Sequence, residues 1–433
     1  MDDRPVIVVG AGLAGLRCAA VLGDRGVPWL LLESQDGPGG RVRTDYVDGF
    51  QLDRGFQVLL TAYPEAQAAL DYDALDLRAF EPGAMIRLSG GFRRVSDPMR
   101  RPGTTLSTVR APIGGLGDKV RIARVRRRLR RTSLDQVWQR PERTTREALA
   151  DYGFGTEIVE RFWQPLLAGI QLDPSLTTSS RMFDFVFKML ASGDNALPAA
   201  GIQAIPDQLA AGLTGGRVRY GTTVVAVDAD GAWLEDGELV RGRHVIVATD
   251  GPTASRLMPL VPTPPSNGVG CLYFAAERPP LDEPILVLNG EGTGVVNNLC
   301  VPSVVAPGYA PDGVSLISVS VLHGTPGSPW DVVAGSRPSN GAHAGTEQLE
   351  TAVRDQLRGW FGRRVDTWRL LRRYDIAHAQ PRMRPPALAT PQRPISFDGV
   401  FCCGDHRDNA SINGALQSGA RTAHAVADAL TAA

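Results

Sequence analysis

Residues 6–15 of the chain read Val-Ile-Val-Val-Gly-Ala-Gly-Leu-Ala-Gly, and this stretch decides the fold. The β-branched run 6–9 ends in glycine, which predicts a buried parallel strand, and residues 13–22 predict a helix. Residues 29–32 predict the next strand, which ends at Glu33. Strand, helix and strand within about thirty residues form one βαβ unit.

The glycines at the strand-to-helix turn have the spacing GxGxxG. In a dinucleotide-binding unit Gly10 permits the tight turn, Gly12 lets the backbone approach a pyrophosphate, and Gly15 lets the helix pack on the strand. The N–H groups and the positive dipole end of the helix at Leu13 and Ala14 attract phosphate. We therefore predict that these five residues bind a dinucleotide cofactor.

Glu33 stands at the end of the second predicted strand. A carboxylate at this position accepts a hydrogen bond from a ribose 2′-OH and repels a 2′-phosphate. Glu33 is therefore a predicted cofactor-binding residue, although the fingerprint alone does not separate NAD from FAD.

The overall composition excludes several classes of protein. Basic and acidic residues balance at 46 each, so the chain lacks the positive charge of a nucleic-acid binder, and we predict no nucleic-acid partner. Five scattered cysteines without a CxxC pair argue against a disulfide framework and a zinc site. Neither a signal-peptide pattern nor an apolar run of about 18 residues is present, which predicts a cytoplasmic location. The oligomeric state stays open.

A second glycine segment, Gly39-Gly40-Arg41, follows Glu33 closely. Here the sequence resembles the superfamily of flavin amine oxidases, protoporphyrinogen oxidases and phytoene desaturases. The resemblance implies that the cofactor is FAD and that Gly39, Gly40 and Arg41 run along its pyrophosphate and ribityl chain. The family has a further arginine three residues before Gly40, where this chain has Gly37.

The C-terminal end resembles the closing segment of the same superfamily. Gly404-Asp405 follows a predicted strand, and residues 410–419 read Ala-Ser-Ile-Asn-Gly-Ala-Leu-Gln-Ser-Gly. The resemblance implies that Asp405 binds a ribityl hydroxyl and that the backbone near Ile412 faces the flavin pyrimidine edge. The same resemblance places Val224 on a strand whose backbone contacts the adenine of FAD. The cofactor-binding residues expected from it are Gly404, Asp405, Ser411, Ile412, Asn413 and Val224.

The fold expected from these segments is α/β. A Rossmann-type FAD-binding domain is built from the discontinuous segments 1–80, 200–262 and 392–433. An inserted α+β substrate-binding domain is built from 81–199 and 263–391. The reactive site is expected between them, where the strand ends open.

Smaller patterns predict further elements along the chain. Thr144 and Glu147 have the spacing of a capping box, and residues 158–167 continue as a helix. Glycine, proline and serine over 324–345 predict a surface loop. The remaining predictions are a helix over 205–213, strands over 217–220, 223–227, 232–234 and 244–248, a strand over 314–321, a helix from Thr346 to about residue 360, a strand over 400–403 and a helix over 412–430.

Two substrate classes compete for the flavin. Amine oxidases of the superfamily carry a lysine near the flavin, and the best matching position in this chain is Gly270; the chain has only two lysines, Lys119 and Lys188. They also place an aromatic ring where this chain has Ser411. Both departures favour desaturation or oxidation of an apolar, carotenoid- or prenyl-type substrate, with oxygen or a quinone as electron acceptor. Amine oxidation and a non-redox flavoprotein, such as an isomerase, remain the alternatives.

Candidate substrate-site residues come from the middle of the chain. Gln57, Trp163 and Ser411 are candidates for the flavin face, the first two by resemblance alone. We name no acid or base. An alternating apolar set predicts either the wall of a substrate tunnel or an ordinary helix core: Met182, Phe183, Phe185, Phe187 and Met189. His406 follows Asp405, and a plain structural role is favoured for it.

The segment 119–131 contains eight basic residues and no acidic one. Ile122, Val125 and Leu129 fall on one helical face, so two interpretations stand. A basic amphipathic helix can lie on an anionic membrane surface, which would give the protein a peripheral membrane contact. It can equally be a solvated helix of an arginine-rich protein.

Overall fold

The computed structural model describes residues 4–96, 100, 101, 103, 110–262, 265–325, 342–388, 393 and 395–432. The strands in these ranges are β1 (Val6–Val9), β2 (Trp29–Leu32), β3 (Thr44–Val47), β4 (Phe50–Asp53), β5 (Leu59–Leu60), β6 (Leu77–Ala79), β7 (Gly83–Leu88), β8 (Gly91–Ser96), β9 (Asn195–Pro198), β10 (Gly216–Arg219), β11 (Val224–Val227), β12 (Gly231–Leu234), β13 (Leu239–Arg241), β14 (Val245–Val247), β15 (Ser266–Ala276), β16 (Leu286–Asn289), β17 (Asn298–Cys300), β18 (Ser315–Leu322), β19 (Arg369–Pro381), β20 (Ser396–Phe397) and β21 (Val400–Cys402).

The helices in the described ranges are α1 (Leu13–Asp24), α2 (Pro64–Ala69), α3 (Leu116–Arg131), α4 (Leu134–Gln139), α5 (Thr145–Asp151), α6 (Thr156–Ile158), α7 (Gln164–Gln171), α8 (Ser180–Ser192), α9 (Ala204–Ala211), α10 (Gly251–Leu257), α11 (Pro302–Val305), α12 (Ala342–Phe361) and α13 (Ile412–Ala432). A π-helical turn, Val159–Trp163, joins α6 to α7.

The N-terminal βαβ unit forms as predicted and lies at the centre of a six-stranded sheet. The strand order is β10-β2-β1-β14-β21-β20, and all neighbours except β20 and β21 pair in parallel. The apolar run of β1 is continuous because the sheet is covered on both faces. Val6 and Val8 pack towards α1 and α13, whereas Ile7 and Val9 pack towards the three-stranded sheet β11-β12-β13.

Two glycines bring backbones into direct contact around α1. A Cβ atom on Gly15 would lie 1.9 Å from the Gly10 carbonyl oxygen, as the predicted packing of helix on strand requires. A Cβ atom on Gly419 of α13 would lie 2.2 Å from the Ala14 carbonyl oxygen. The first and last helices of the fold therefore meet at a separation that only glycine permits.

A second, seven-stranded sheet has the order β19-β15-β18-β17-β16-β7-β8. Helix α12 packs on one of its faces through Leu349, Val353 and Leu357. The other face packs against the helices α7 and α8 and against the hairpin β3–β4. Its strands come from the two inserts 81–199 and 263–391, and those of the six-stranded sheet come from the other three segments. The domain boundaries themselves remain a prediction.

A buried carboxylate links the hairpin β3–β4 to the second sheet. Asp53 accepts hydrogen bonds from the Thr44 hydroxyl (2.6 Å), the Ile202 N–H (3.0 Å) and the Tyr309 hydroxyl (2.8 Å). The Tyr273 hydroxyl donates to the Asp53 carbonyl oxygen at 2.9 Å. Burial raises the pKa of Asp53 to about 6.

Several predicted elements need correction. The segment 158–167 is not one α-helix, because the π-helical turn interrupts it. Helix α12 begins at Ala342 rather than at Thr346, and most of the predicted loop 324–345 lies outside the described residues. The short strand β13 was not predicted. The capping box is confirmed: the Thr144 and Glu147 side chains each accept a hydrogen bond from the other's backbone N–H.

The contact of α13 with α1 can be tested with Gly419→Ala. Alanine favours a helix over glycine, but the added methyl group meets the Ala14 carbonyl oxygen, so we expect a net loss of about 1–3 kcal/mol. Thermal unfolding is the measurement. Gly359→Ala in α12 is the matched control, because a Cβ there meets no atom within 4 Å. A Gly419→Ala protein as stable as the control would contradict this packing.

Candidate active site

A cavity of about 970 Å³ lies between the carboxyl ends of β1 and β2 and the inner face of the seven-stranded sheet. Most of the residues predicted from sequence line it: Gly10, Gly12, Leu13, Ala14, Glu33, Gly39, Gly40, Arg41, Gln57, Val224, Gly404, Asp405, Ser411 and Ile412. They come from both ends and the middle of the chain, as the discontinuous assembly predicts.

The turn between β1 and α1 forms an open cradle. Gly10 has a φ of 105°, which glycine adopts without strain. Gly12 is the N-cap of α1, and a Cβ atom on it would meet nothing within 4 Å. The space before the helix N-terminus therefore lacks protein atoms and can admit a phosphate group.

Glu33 is held in one orientation at the end of β2. Its Oε2 accepts a hydrogen bond from the Ala11 N–H at 2.6 Å, and its Oε1 accepts one from the Gln35 N–H at 2.8 Å. The side chain is buried yet lines the cavity. It is thus pre-positioned to accept a hydrogen bond from a ribose hydroxyl.

Arg41 and Asp405 join the two ends of the chain at the cavity wall. Arg41 Nη2 lies 2.8 Å from Asp405 Oδ2, and Arg41 Nη1 donates to the Ala379 carbonyl oxygen at 2.9 Å. Asp405 is almost fully buried, and a buried carboxylate needs a charged partner, which the Arg41 guanidinium provides. The expected roles of both residues along a ribityl chain are compatible with this position, because both side chains line the cavity.

Ser411 caps α13 at the cavity wall. Its Oγ accepts a hydrogen bond from the Gly414 N–H at 2.9 Å and lies 2.5 Å from the Asn409 side-chain oxygen. The N-terminus of α13 therefore points into the cavity at Ser411 and Ile412. Gln57 also lines the cavity, and its Nε2 donates to the carbonyl oxygens of Arg41 and Arg54.

Three expected site residues do not line the cavity. Gly15 serves the packing of α1. Asn413 is buried, and its Oδ1 accepts a hydrogen bond from the Glu65 N–H, so it holds α2 in place. Trp163 is fully buried among aromatic rings, including Phe154 and Phe183, and the expectation that it faces the flavin is wrong.

Of the five residues offered as either a tunnel wall or a helix core, only Met182 lines the cavity. Phe183 and Phe187 pack against Trp163, Phe185 stacks on Tyr63, and Met189 belongs to the helix core. The cavity face of α8 instead consists of residues four apart, namely Met182, Val186 and Leu190. The alternation of aromatic residues concealed this i, i+4 signal.

Gly270, the position that best matches the lysine of the amine oxidases, lies on β15. Val269 lines the cavity, but Gly270 does not. Successive residues of a strand alternate between faces, so Gly270 belongs to the face that α12 covers. Lys119 and Lys188 bond to carbonyl oxygens of Ala111, Leu129 and Arg130, and neither lines the cavity.

His406 is a core residue, as favoured from sequence. It is fully buried, and burial lowers its pKa to about 4, which keeps the imidazole neutral near pH 7. It does not line the cavity.

Comparison with known proteins identifies the family. The model of the flavin-containing amine oxidoreductases matches residues 13–427. The chain belongs to this family. It is therefore an FAD-dependent oxidoreductase, and the cavity offers the open space before α1 and the buried carboxylate at the end of β2 that suit a dinucleotide.

Curated relatives span several chemistries within the family. Coproporphyrinogen III oxidase of Mycobacterium tuberculosis is 27% identical over 211 residues, which are 48% of this chain and 46% of that protein. The zeta-carotene-forming phytoene desaturase of Myxococcus xanthus is 42% identical over 59 residues, or 14% of this chain and 11% of that one. Polyamine oxidase 2 of Arabidopsis thaliana is 48% identical over 50 residues, or 12% and 10%. Each match spans less than half of the relative's length.

Solved structures share the fold over the whole chain. An oxidoreductase from Methanosarcina mazei is 17% identical with a TM-score of 0.72, covering 98% of this chain and 100% of that one. Cyclohexylamine oxidase from Brevibacterium oxydans is 18% identical with a TM-score of 0.69, covering 99% and 100%. No helix within the described ranges has the length and apolarity to cross a membrane.

The cradle can be tested with Gly12→Thr. Threonine caps helices about as well as glycine, so we expect the apoprotein to keep its thermal stability. The new side chain would occupy the space before α1, and we expect FAD affinity to fall at least about tenfold, since one lost close approach of about 1.4 kcal/mol already gives that factor. FAD content after dialysis is the measurement. Full retention of FAD would contradict the assignment of this space to the cofactor.

Proposed function

We propose that the chain removes a hydride from a C–H bond of an apolar substrate of the carotenoid or prenyl type and passes it to FAD. The observation that carries this proposal is the apolar part of the cavity wall. It is formed by α7, α8 and the inner face of the second sheet, through Leu166, Ile170, Met182, Val186, Leu190, Val269, Leu286 and Leu288. Such a wall binds an apolar chain and excludes water.

The cofactor contacts are part of the proposal. Gly10, Gly12, Leu13 and Ala14 would bind the pyrophosphate, Glu33 the adenosine ribose, and Val224 the adenine. Gly39, Gly40, Arg41, Gly404 and Asp405 would border the ribityl chain. Ser411, Ile412 and Gln57 would lie beside the ring. Support comes from their shared position on one continuous cavity.

Bound FAD supplies the hydride acceptor, and the protein supplies position and dryness. The apolar residues of α8 and β15 hold the substrate near the ring and keep water out. The N-terminus of α13 at Ser411 directs a positive dipole end into the cavity and favours negative charge there. Oxygen or a quinone is proposed as the final electron acceptor.

Amine oxidation is less well supported by the site. Neither lysine lines the cavity, and Val269 occupies the cavity side of β15. Ser411 provides a hydroxyl where an aromatic ring would frame an amine. Both features fit an apolar substrate better than an ammonium ion.

The basic helix α3 supports a proposed contact with an anionic membrane surface, but through residues other than those expected. Val125 and Leu129 are buried against the helical layer, and Ile122 packs with them, so this face is unavailable to lipid. The outer face carries Leu116 (65% exposed) and Val120 (48% exposed), followed by exposed arginines. Together they combine apolar insertion with positive charge.

Anaerobic titration of the FAD-loaded protein tests the substrate class. We expect prenyl or polyene lipids to bleach the flavin absorbance and primary or secondary amines to leave it unchanged. Bleaching of the flavin by amines alone would contradict the proposed lipid substrate and indicate an amine oxidase. Isomerisation of a lipid without net oxidation would support the non-redox alternative.

Two methionines of α8 provide a matched pair for that titration. Met182 and Met189 are each 3% exposed, but only Met182 lines the cavity. Either change to alanine removes buried apolar area and costs about 2–5 kcal/mol of stability. We expect that only Met182→Ala will also weaken lipid binding and so raise the lipid concentration needed for half-saturation. An equal effect of both changes would contradict the proposed wall.

Sedimentation with vesicles tests the membrane contact. We expect vesicles containing anionic lipid to carry down the protein, and neutral vesicles to leave it in solution. The double variant Leu116→Ser with Val120→Ser should release the protein from the vesicles. Full burial of each apolar side chain of this size contributes roughly 1.5–3 kcal/mol of binding free energy. The double variant Val225→Ser with Leu260→Ser is the control, since these residues are exposed on other elements. Vesicle binding that is unchanged in the Leu116→Ser, Val120→Ser variant would contradict the proposed membrane contact.

A further inference from the structure

A polar pair interrupts the apolar wall contributed by the second sheet. Asn298 on β17 lies directly opposite Ser320 on β18, and both line the cavity. Each is only 4% exposed. Leu288 pairs with Asn298 on the other side and also lines the cavity. The pair therefore stands within an otherwise apolar row.

Hydrogen bonding fixes the orientation of the Asn298 amide. Asn297 Nδ2 donates to the Pro165 carbonyl oxygen at 3.0 Å and to Asn298 Oδ1 at 2.9 Å. Because a carbonyl only accepts, the Asn297 nitrogen must face Pro165, and the Asn298 oxygen must then face Asn297. The Asn298 nitrogen is left on the side of Ser320, where Nδ2 donates to Oγ at 3.3 Å.

Each member of the pair keeps one proton to donate. An amide nitrogen has two, and one goes to Ser320. The Ser320 hydroxyl accepts that bond and retains its own proton, for which no residue in the described ranges is an acceptor. Helix α7 passes close to the pair, since a Cβ atom on Gly169 would lie 3.1 Å from Asn298 Oδ1.

A hydrocarbon in the cavity would cover both donors and satisfy neither. Buried donors without partners are costly, so sites that contain them bind ligands with a matching acceptor. An oxygen atom accepts from an amide and a hydroxyl at once.

We propose that Asn298 and Ser320 form a subsite for an oxygen atom of the substrate, such as a carbonyl, hydroxyl or ether. The substrate is then an apolar chain that carries oxygen, and not a pure hydrocarbon. This inference rests on the proposed apolar substrate and narrows it.

Anaerobic binding to the FAD-loaded protein, with its flavin first reduced by dithionite so that it cannot accept a hydride, tests the subsite without turnover. The probes are a C20 polyprenyl aldehyde and the C20 polyprenyl hydrocarbon of the same chain, and the perturbation of flavin absorbance gives each dissociation constant. We expect the aldehyde to bind about 3- to 10-fold more tightly, the factor for one or two net hydrogen bonds.

Two variants and one control locate the effect. Ser320→Ala and Asn298→Leu should each lower the preference for the aldehyde, because each removes one of the two donors, and the double variant should reduce it to about onefold. Ser318→Ala should preserve it. Ser318 lies two residues earlier on β18 and is also buried, but it contacts Cys271 Sγ at 3.5 Å and does not line the cavity. FAD content and thermal unfolding show that each variant is folded.

The outcomes separate the two proposals. Equal affinity for aldehyde and hydrocarbon in the unmutated protein overturns the subsite and leaves the apolar substrate standing. An aldehyde preference that survives undiminished in the folded double variant of Asn298→Leu with Ser320→Ala also overturns it. Binding of neither probe overturns both.

Discussion

The architecture depends on backbone contact around one helix. Gly15 brings α1 against the end of β1, and Gly419 brings α13 against the first turn of α1. With side chains at either position the helix would move away from the strand, and the space before Gly12 would no longer face the other cavity walls. The Arg41–Asp405 ion pair then joins the same two ends of the chain beside the cavity.

The cavity combines two environments. One end has fixed polar groups, with Glu33 held by backbone N–H groups and the α1 and α13 termini directed inward. The other end is apolar and is enclosed by α7, α8 and the second sheet. A dinucleotide needs the first environment and a lipid-like substrate the second. In the proposed function, their continuity would bring a substrate C–H bond next to the ring of a bound flavin, which is the positional requirement for hydride transfer.

The cofactor half of the site could be predicted because its chemistry constrains residue types at fixed spacing. Glycines at a tight turn and a carboxylate at a strand end leave a signal in a single sequence. The substrate half could not be predicted in the same way. Val269, Asn298 and Ser320 come together through strand register, which local sequence does not encode, and Trp163 was misassigned because burial in an aromatic cluster leaves the same apolar signature as a cavity wall. The exposed Leu116 and Val120 could not be predicted because the apolar periodicity of this helix marks the face with Ile122, Val125 and Leu129, which the core covers.

The order of strands in the first sheet also bears on biosynthesis. Strand β1, made first, lies beside β14, and β14 lies beside β21, which is made near the end. Because β14 and β21 are encoded far downstream of β1, the edge of β1 that pairs with β14 stays unpaired until those later segments have been synthesised. The wall of the cavity that carries Gly404 and Asp405 is likewise synthesised long after the cradle at Gly10 and Gly12, so the two sides of the cavity can meet only after the chain between them has been made.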